Sequence, residues 1–280
     1  MSSLSHGGET LGTVTYLRRE VFLTRTGRVD VPVVSGNAVR GVLRETGARL
    51  LWEALGEPKL PLGVVHALWS GGALTKSRTQ PLTGQRLAEV RTVLPHIGVF
   101  GVAGGGRIVD GALQVGKLVP VCAQTEDVLP VWLRDRDGGA GLPDMYDLLQ
   151  IERYSRIPDQ RMTELVAETP EPGASGADDN LLMRYGIETF VPGTRFYSMF
   201  TLTNATDLEY EFFNDVLSDW LPVARVGGNA RIGHGNLAFD LTTPEPPTTV
   251  TTEPSEATVG WRAFQGKTLT ETREILSCLN

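Results

Sequence analysis

The sequence predicts an α+β fold with the element order βαββαβ, ferredoxin-like (RRM-like), opened by two insertions. Three observations carry this expectation. Segments 13–23, 111–121 and 195–203 alternate apolar and polar residues with the period of a strand. Segments 35–55 and 208–221 repeat apolar residues at helical spacing. A last apolar run, NLAFDL at 236–241, follows a glycine-rich loop and reads as a closing strand.

Taken in order, TVTYLRREVFL is rich in β-branched and aromatic residues, with Leu17, Val21 and Leu23 on one parity. TRTGRVDVP then reads as a turn. Ser35 is a suitable N-cap, and Val39, Leu43, Leu50, Leu51 and Ala54 form the apolar stripe of a helix that stops at Gly56. Residues 57–105 are mixed and rich in Gly, Pro and Thr, as in an irregular insertion with short elements. In GALQVGKLVPV, residues Leu113, Val115, Val119 and Val121 alternate. Residues 123–190 are polar and broken, with a loop-like patch EPGASGADDN. RFYSMFTLT follows the turn signal VPGT, and Leu208, Phe212, Val216, Leu217 and Trp220 share one helix face. TTPEPPTTVTTEPSE at 242–256 is a linker by composition, and KTLTETREILSCL suits a short docking helix.

At 280 residues and 41% hydrophobic, the chain suits one large or two modest domains. No apolar window approaches the ~20 residues of a membrane span, and MSSLSHGGETLG lacks a secretory pattern. No membrane association is expected, and the expected compartment is the cytoplasm. Cys122 and Cys278 make neither a disulfide framework nor a zinc spacing. His6, His66, His96 and His234 fall in no metal-ligand spacing, so neither metal nor cofactor is expected. Net charge −7 and a pI near 5.2 argue, as bulk values, against nucleic acid. Recognition depends on where charges sit, so the objection must be tested segment by segment.

Two segments bring together the ingredients of an anion site. At the helix start SGNAVRGVLRE, Gly36 and Gly41 sit where glycine destabilises a helix by roughly 1 kcal/mol, and Arg40 and Arg44 repel each other at i, i+4. A helix N-terminus attracts anions, so Ser35, Asn37, Arg40 and Arg44 are candidate contacts; a solvated basic face is the plainer alternative. In GGNARIGHG, Gly227, Gly228, Gly233 and Gly235 surround Arg231 and His234. Consecutive N–H groups there can cradle an anion, although the loop also suits a plain connection into an edge strand. Neither segment is a phosphate-binding P-loop or a dinucleotide fingerprint. Further arginines gather at Arg18, Arg19, Arg25 and Arg28, and at Arg153, Arg156 and Arg161. RNA-recognition aromatics are absent, so contacts are expected on phosphate and ribose. Asp30 is the one acid placed to face a bound anion, and a structural turn acid is its plainer reading.

VPVVSGNAVRGVLRE, FGVAGGGRIVDGALQVG, ETFVPGTRFYSMFTL and GGNARIGHGNLAF, in that order, resemble the conserved segments of the RAMP superfamily of CRISPR proteins. IERYSRIPDQR and LLMRYGIETFVPGT occupy the place of that family's thumb. The likeness runs over roughly residues 11–241 and is weakest at 57–95. It implies a repeating backbone subunit of a CRISPR effector. Its palm would comprise residues 11–56, 106–122 and 191–241, with a finger at 57–105, a thumb at 123–190 and a linker and tail at 242–280. Copies would polymerise along guide RNA (crRNA) beside other effector subunits and present it to a complementary target. Ser35, Asn37, Arg40, Arg44, Gly227, Gly228, Asn229, Arg231 and His234 would hold guide phosphates. Arg153 and Arg156, with Tyr154 and Ile157, would form the wedge that kinks the guide. The short loop after the first strand points to the type IV branch. Type III relatives cut target RNA with an aspartate in that loop. Here only Asp30 is available, and its context departs from theirs, so a non-catalytic scaffold is expected, with a metal-dependent endoribonuclease acting through Asp30 as the alternative.

Overall fold

The computed structural model describes residues 1–25, 27–72, 84–104, 107–134, 141–156, 183–241 and 261. The expected linker at 242–256, the tail helix, Ile157 and Arg161 lie outside the described residues. In chain order the strands and helices are β1 (Gly7–Leu11), β2 (Val14–Leu17), β3 (Arg19–Thr24), β4 (Gly27–Pro32), α1 (Gly36–Ala54), α2 (Leu62–Val65), α3 (Gly84–Val93), α4 (Pro95–Phe100), β5 (Val102–Gly104), β6 (Arg107–Val109), β7 (Leu113–Val115) and β8 (Val119–Pro120), then α5 (Val131–Arg134), β9 (Leu149–Arg156), β10 (Met183–Phe190), β11 (Phe196–Tyr197), β12 (Phe200–Leu202) and α6 (Asp207–Trp220). The mixed α+β class stands. The chain forms two compact units, each assembled from separated stretches.

The first unit comprises Met1–Val34, Val119–Tyr197 and Gly227–Gly235. Its sheet has the order β1-β2-β10-β9, antiparallel except for the β2–β10 pair. Strands β9 and β10, in a stretch read from sequence as polar and broken, are the longest in the sheet. Polar residues inside both strands, Gln150, Glu152 and Arg153 in β9 and buried Glu188 and Thr189 in β10, leave no apolar alternation to read. Buried Glu188 accepts from the Leu17 N–H at 2.8 Å and from Arg19 at 2.6 Å, so its charge is paired where burial alone would be expensive. A satellite core gathers Val121, Leu129 and Leu133 with Leu142 and Tyr197.

The expected strand at 13–23 is two strands. Arg18 breaks it, and β3 turns away to pair with β4 in a hairpin, Val21 opposite Asp30. The stretch TRTGRVDVP is therefore mostly strand. Only Leu17 of the predicted parity is buried; Leu23 is 80% exposed.

The second unit comprises Ser35–Leu118, Ser198–Val226 and Asn236–Asn280. Val39, Leu43, Leu50 and Leu51 of α1 are buried, as the helical spacing predicts, together with Leu94, Ile97 and Phe100, and Phe212 and Val216 of α6. Ala54 is only half-buried. The Thr206 hydroxyl caps α6, and Glu209 reaches back to the Thr206 N–H, closing a capping box. Trp261 seats on α6, fully buried, edge-on to Phe212 at 4.9 Å, and donates to Asp215 at 2.9 Å.

Segments 111–121 and 195–203 each break into two short strands. β7 pairs with β12 in the second unit, and β8 with β11 in the first. Gly116 lies at one break, weak in a strand interior, and its carbonyl accepts from the Ser198 hydroxyl at 3.0 Å. The closing strand at 236–241 does not form. It makes one bridge, Arg225 to Asn236, while Phe239 packs on the Trp220 ring at 4.9 Å. Leu237 adds a main-chain bond to the Ala224 carbonyl at 2.9 Å, and Leu241 is exposed.

Glu209 is fully buried and takes two bonds from Arg91, at 2.9 and 3.0 Å. Arg91→Met strands that carboxylate. The unfolding free energy should fall by about 3–5 kcal/mol, readable in a urea titration as a lower midpoint at constant slope.

Candidate nucleic-acid interface

The helix start is built from local rules. Ser35 has extended backbone, and its hydroxyl accepts from the Ala38 N–H at 3.3 Å, so this side chain is spent as a cap. Gly36 is forced: a Cβ there would run into the Val115 carbonyl, so only glycine lets the first turn of α1 lie against β7. A Cβ at Gly41 would meet nothing, and Asn37 is exposed.

The two arginines answer to an internal demand. Arg40 donates to the Phe100 carbonyl at 2.8 Å, and Arg44 donates to the carbonyls of Phe100 at 2.5 Å and Gly101 at 2.9 Å. Those oxygens end α4, where the helix leaves acceptors without partners and carries partial negative charge. Two cations four residues apart are tolerated because both converge on that end. Burial, then repulsion from Arg40, pushes the Arg44 guanidinium down to about 10. Burial also lowers Arg40, with Asp110 opposing. Beside them opens a cleft of about 510 Å³ whose lining includes Asn37, Arg40, Gly41, Trp69, Ile108 and Asp110.

The glycine-rich loop belongs to the first unit. Gly227 has φ +88°, and a Cβ on it would collide with the Ser5 carbonyl. The Gly228 and Gly235 N–H groups donate to the carbonyls of Ser5 and Ser3, each at 2.8 Å. Asn229, at φ +61°, donates through Nδ2 to the Ser5 hydroxyl at 3.3 Å. Gly228, Asn229 and Arg231 remain exposed. His234 does not: it is 2% exposed, with Nδ1 2.8 Å from the Ser3 hydroxyl and Nε2 2.7 Å from the Tyr154 hydroxyl. Tyr154 in turn donates to Glu152 at 2.6 Å and stacks on Tyr185 at 5.5 Å. Burial and then the neighbouring Glu152 push the Tyr154 phenol up to about 12.

Arg153 is exposed on β9, and Arg156 ends that strand. Arg40 and Arg231 fall in different units. Asp30 is exposed on β4. Among the described residues no three His, Cys, Asp or Glu side chains gather in a way that could hold a metal ion. No described helix is long and apolar enough to cross a membrane. Sequence reasoning missed Ser3 and Glu152, since neither stands near the loop along the chain, and only the shared sheet brings them there.

No protein-family model and no curated protein matches the sequence. Among solved structures, a chain of a type IV-B CRISPR complex matches with TM-score 0.56 and 27% identity over 89% of this chain and 92% of that one. This likeness supports the resemblance to CRISPR subunits read from the sequence. The chain's likeness to the crystal structure of Thermofilum pendens Csc2 is fainter, at 12% identity and TM-score 0.36 over 81% of this chain and 58% of that one, too low to establish a shared fold.

In the second unit, buried His96 makes stability depend on pH. It is fully buried between Phe100 and Phe212, and its Nε2 lies 3.2 Å from the Arg44 carbonyl. That oxygen can only accept, so the neutral ring carries its proton on Nε2, and Nδ1 has no partner. Burial, then Arg44, pushes His96 down to about 3. The unfolded chain therefore binds the proton first. Stability from this group is complete above pH 6.5 and is lost as pH falls toward 3, with a slope of up to about 1.4 kcal/mol per pH unit. Thermal midpoints taken across that range should drop, and His96→Phe should flatten the drop.

Proposed function

We propose that this subunit is the repeating backbone of a type IV CRISPR ribonucleoprotein. It binds guide RNA through phosphate contacts, kinks the guide and presents it for target pairing. The observation that carries the reading is the near end-to-end likeness to a chain of a type IV-B CRISPR complex. In this reading residues 11–56, 106–122 and 191–241 act as a ferredoxin-like palm, 57–105 as finger and 123–190 as thumb. The partners are crRNA, a complementary target, further copies of the subunit in a filament, and other effector subunits.

The residues divide by what their side chains are free to do. Asn37, Gly228, Asn229, Arg231 and Arg153 are exposed and take the phosphates. Arg40 and Arg44 are half-committed to the Phe100 and Gly101 carbonyls and present a positive edge to the cleft. Ser35 shapes the helix start, and Arg156 ends β9 within the thumb. In this reading the subunit acts as a scaffold, and Asp30, across the hairpin from Val21, is the residue through which the nuclease alternative would act.

The full-length protein titrated with single-stranded RNA at several salt concentrations tests this. Affinity should fall steeply with salt. Replacing Arg153 and Arg231 together with Ala should weaken binding and reduce the log–log slope by roughly 0.7 per lost contact. Equal affinity and slope in the double variant would refute the reading. A labelled target cut periodically by the complex with divalent metal, and left whole after Asp30→Ala, would restore the nuclease alternative.

A further inference from the structure

The glycine-rich loop is held by a chain of hydrogen bonds whose proton positions resolve one way. Tyr154 has a single hydroxyl proton, donated to Glu152 at 2.6 Å. Its oxygen therefore accepts from His234 Nε2–H at 2.7 Å. That leaves Nδ1 as an acceptor for the Ser3 hydroxyl at 2.8 Å. Glu152 is fixed from its other oxygen by Gln150 at 2.9 Å and Thr189 at 3.2 Å, across β9 and β10. Burial opposes ionisation of Glu152, but hydrogen bonds led by the Tyr154 hydroxyl outweigh it and hold its carboxyl below the usual range. Every donor in the series meets one acceptor, from the amino-terminal segment through the loop to the sheet.

We propose that His234 and Tyr154 are positioning residues, a lock that sets the loop bearing Asn229 and Arg231 against the strand bearing Arg153. The inference rests on reading the loop as a guide-strand contact. Neither His234 nor Tyr154 touches RNA. His234 sits at 2% exposure beneath the exposed loop, and the Tyr154 hydroxyl is taken up on both sides. Their work is geometric. Two arginines that meet successive phosphates must keep a fixed spacing, and an untethered loop would lose the entropy of ordering at each binding event. The lock has that ordering done in advance. The main-chain bonds from Gly228 to Ser5 and from Gly235 to Ser3 close the loop at its two ends, and the His234 side chain pins it between them.

Tyr154→Phe in the full-length protein removes one oxygen while leaving the ring to stack on Tyr185. Two readouts are taken. Hydrogen exchange at the Gly228 and Gly235 amides should quicken by about tenfold, because local opening becomes easier. Affinity for single-stranded RNA should fall by about tenfold at an unchanged salt slope, whereas Arg231→Ala lowers the slope as a lost phosphate contact must. Ser3→Ala, which cuts the lock at its other end, should act the same way and serves if Tyr154→Phe does not fold. Unchanged exchange would overturn the lock, and so would faster exchange with affinity held within about twofold. A reduced salt slope in Tyr154→Phe would also overturn it, by making Tyr154 a contact. If the unaltered protein shows no affinity for RNA, the functional reading fails, and the exchange rates alone judge whether the lock exists.

Discussion

Two main-chain oxygens at the end of α4 set the terms for the second unit. The carbonyls of Phe100 and Gly101 belong to a helix end buried in protein, where acceptors without partners destabilise a fold by about 1–3 kcal/mol each. Arg40 and Arg44 meet that demand together. Their shared target explains a charge pair that would otherwise repel, fixes the relation of α1 to α4, and gives the neighbouring cleft its basic wall. It also burdens His96, which must stay neutral in the same packing.

The acidic composition is partly an internal matter. Glu188 binds Arg19 and the Leu17 amide, Glu209 binds Arg91 and caps α6, and Asp215 accepts from Trp261. All three are buried and engaged with donors, so they contribute little repulsion toward a polyanion outside. Net charge counts them equally with surface acids. For this reason bulk pI is a weak guide to where an anionic strand could lie.

What could be read from the sequence follows the range of the interactions. The cap at Ser35 and the buried stripes of α1 and α6 depend on neighbours within a turn or two, and spacing alone exposes them. The arginine pair was visible, but spacing does not say whether a guanidinium faces a ligand or a carbonyl sixty residues on. The glycines of the loop read as permissive, whereas Gly227 is compelled by the Ser5 carbonyl. Strands β9 and β10 escaped notice because polar side chains with distant partners, Glu152 and Glu188 among them, stand where an apolar alternation would be read. NLAFDL misled because Phe239 packs on Trp220 and the segment makes only one bridge. Each miss lies where a distant partner, not a local preference, decides the conformation.

The partners of the loop also bear on how the chain reaches its native state. Ser3 and His234 are separated by 231 positions, and β2 lies beside β10 with Val14 paired to Gly186. Contacts of such long sequence separation form late, since a large loop must close before any of them repays the entropy. Strand β2 therefore stays without its β10 neighbour, and Ser3 without His234, until the chain has been made through those later residues. During that interval its bare strand edge is the part of the nascent chain most exposed to wrong pairing with another molecule.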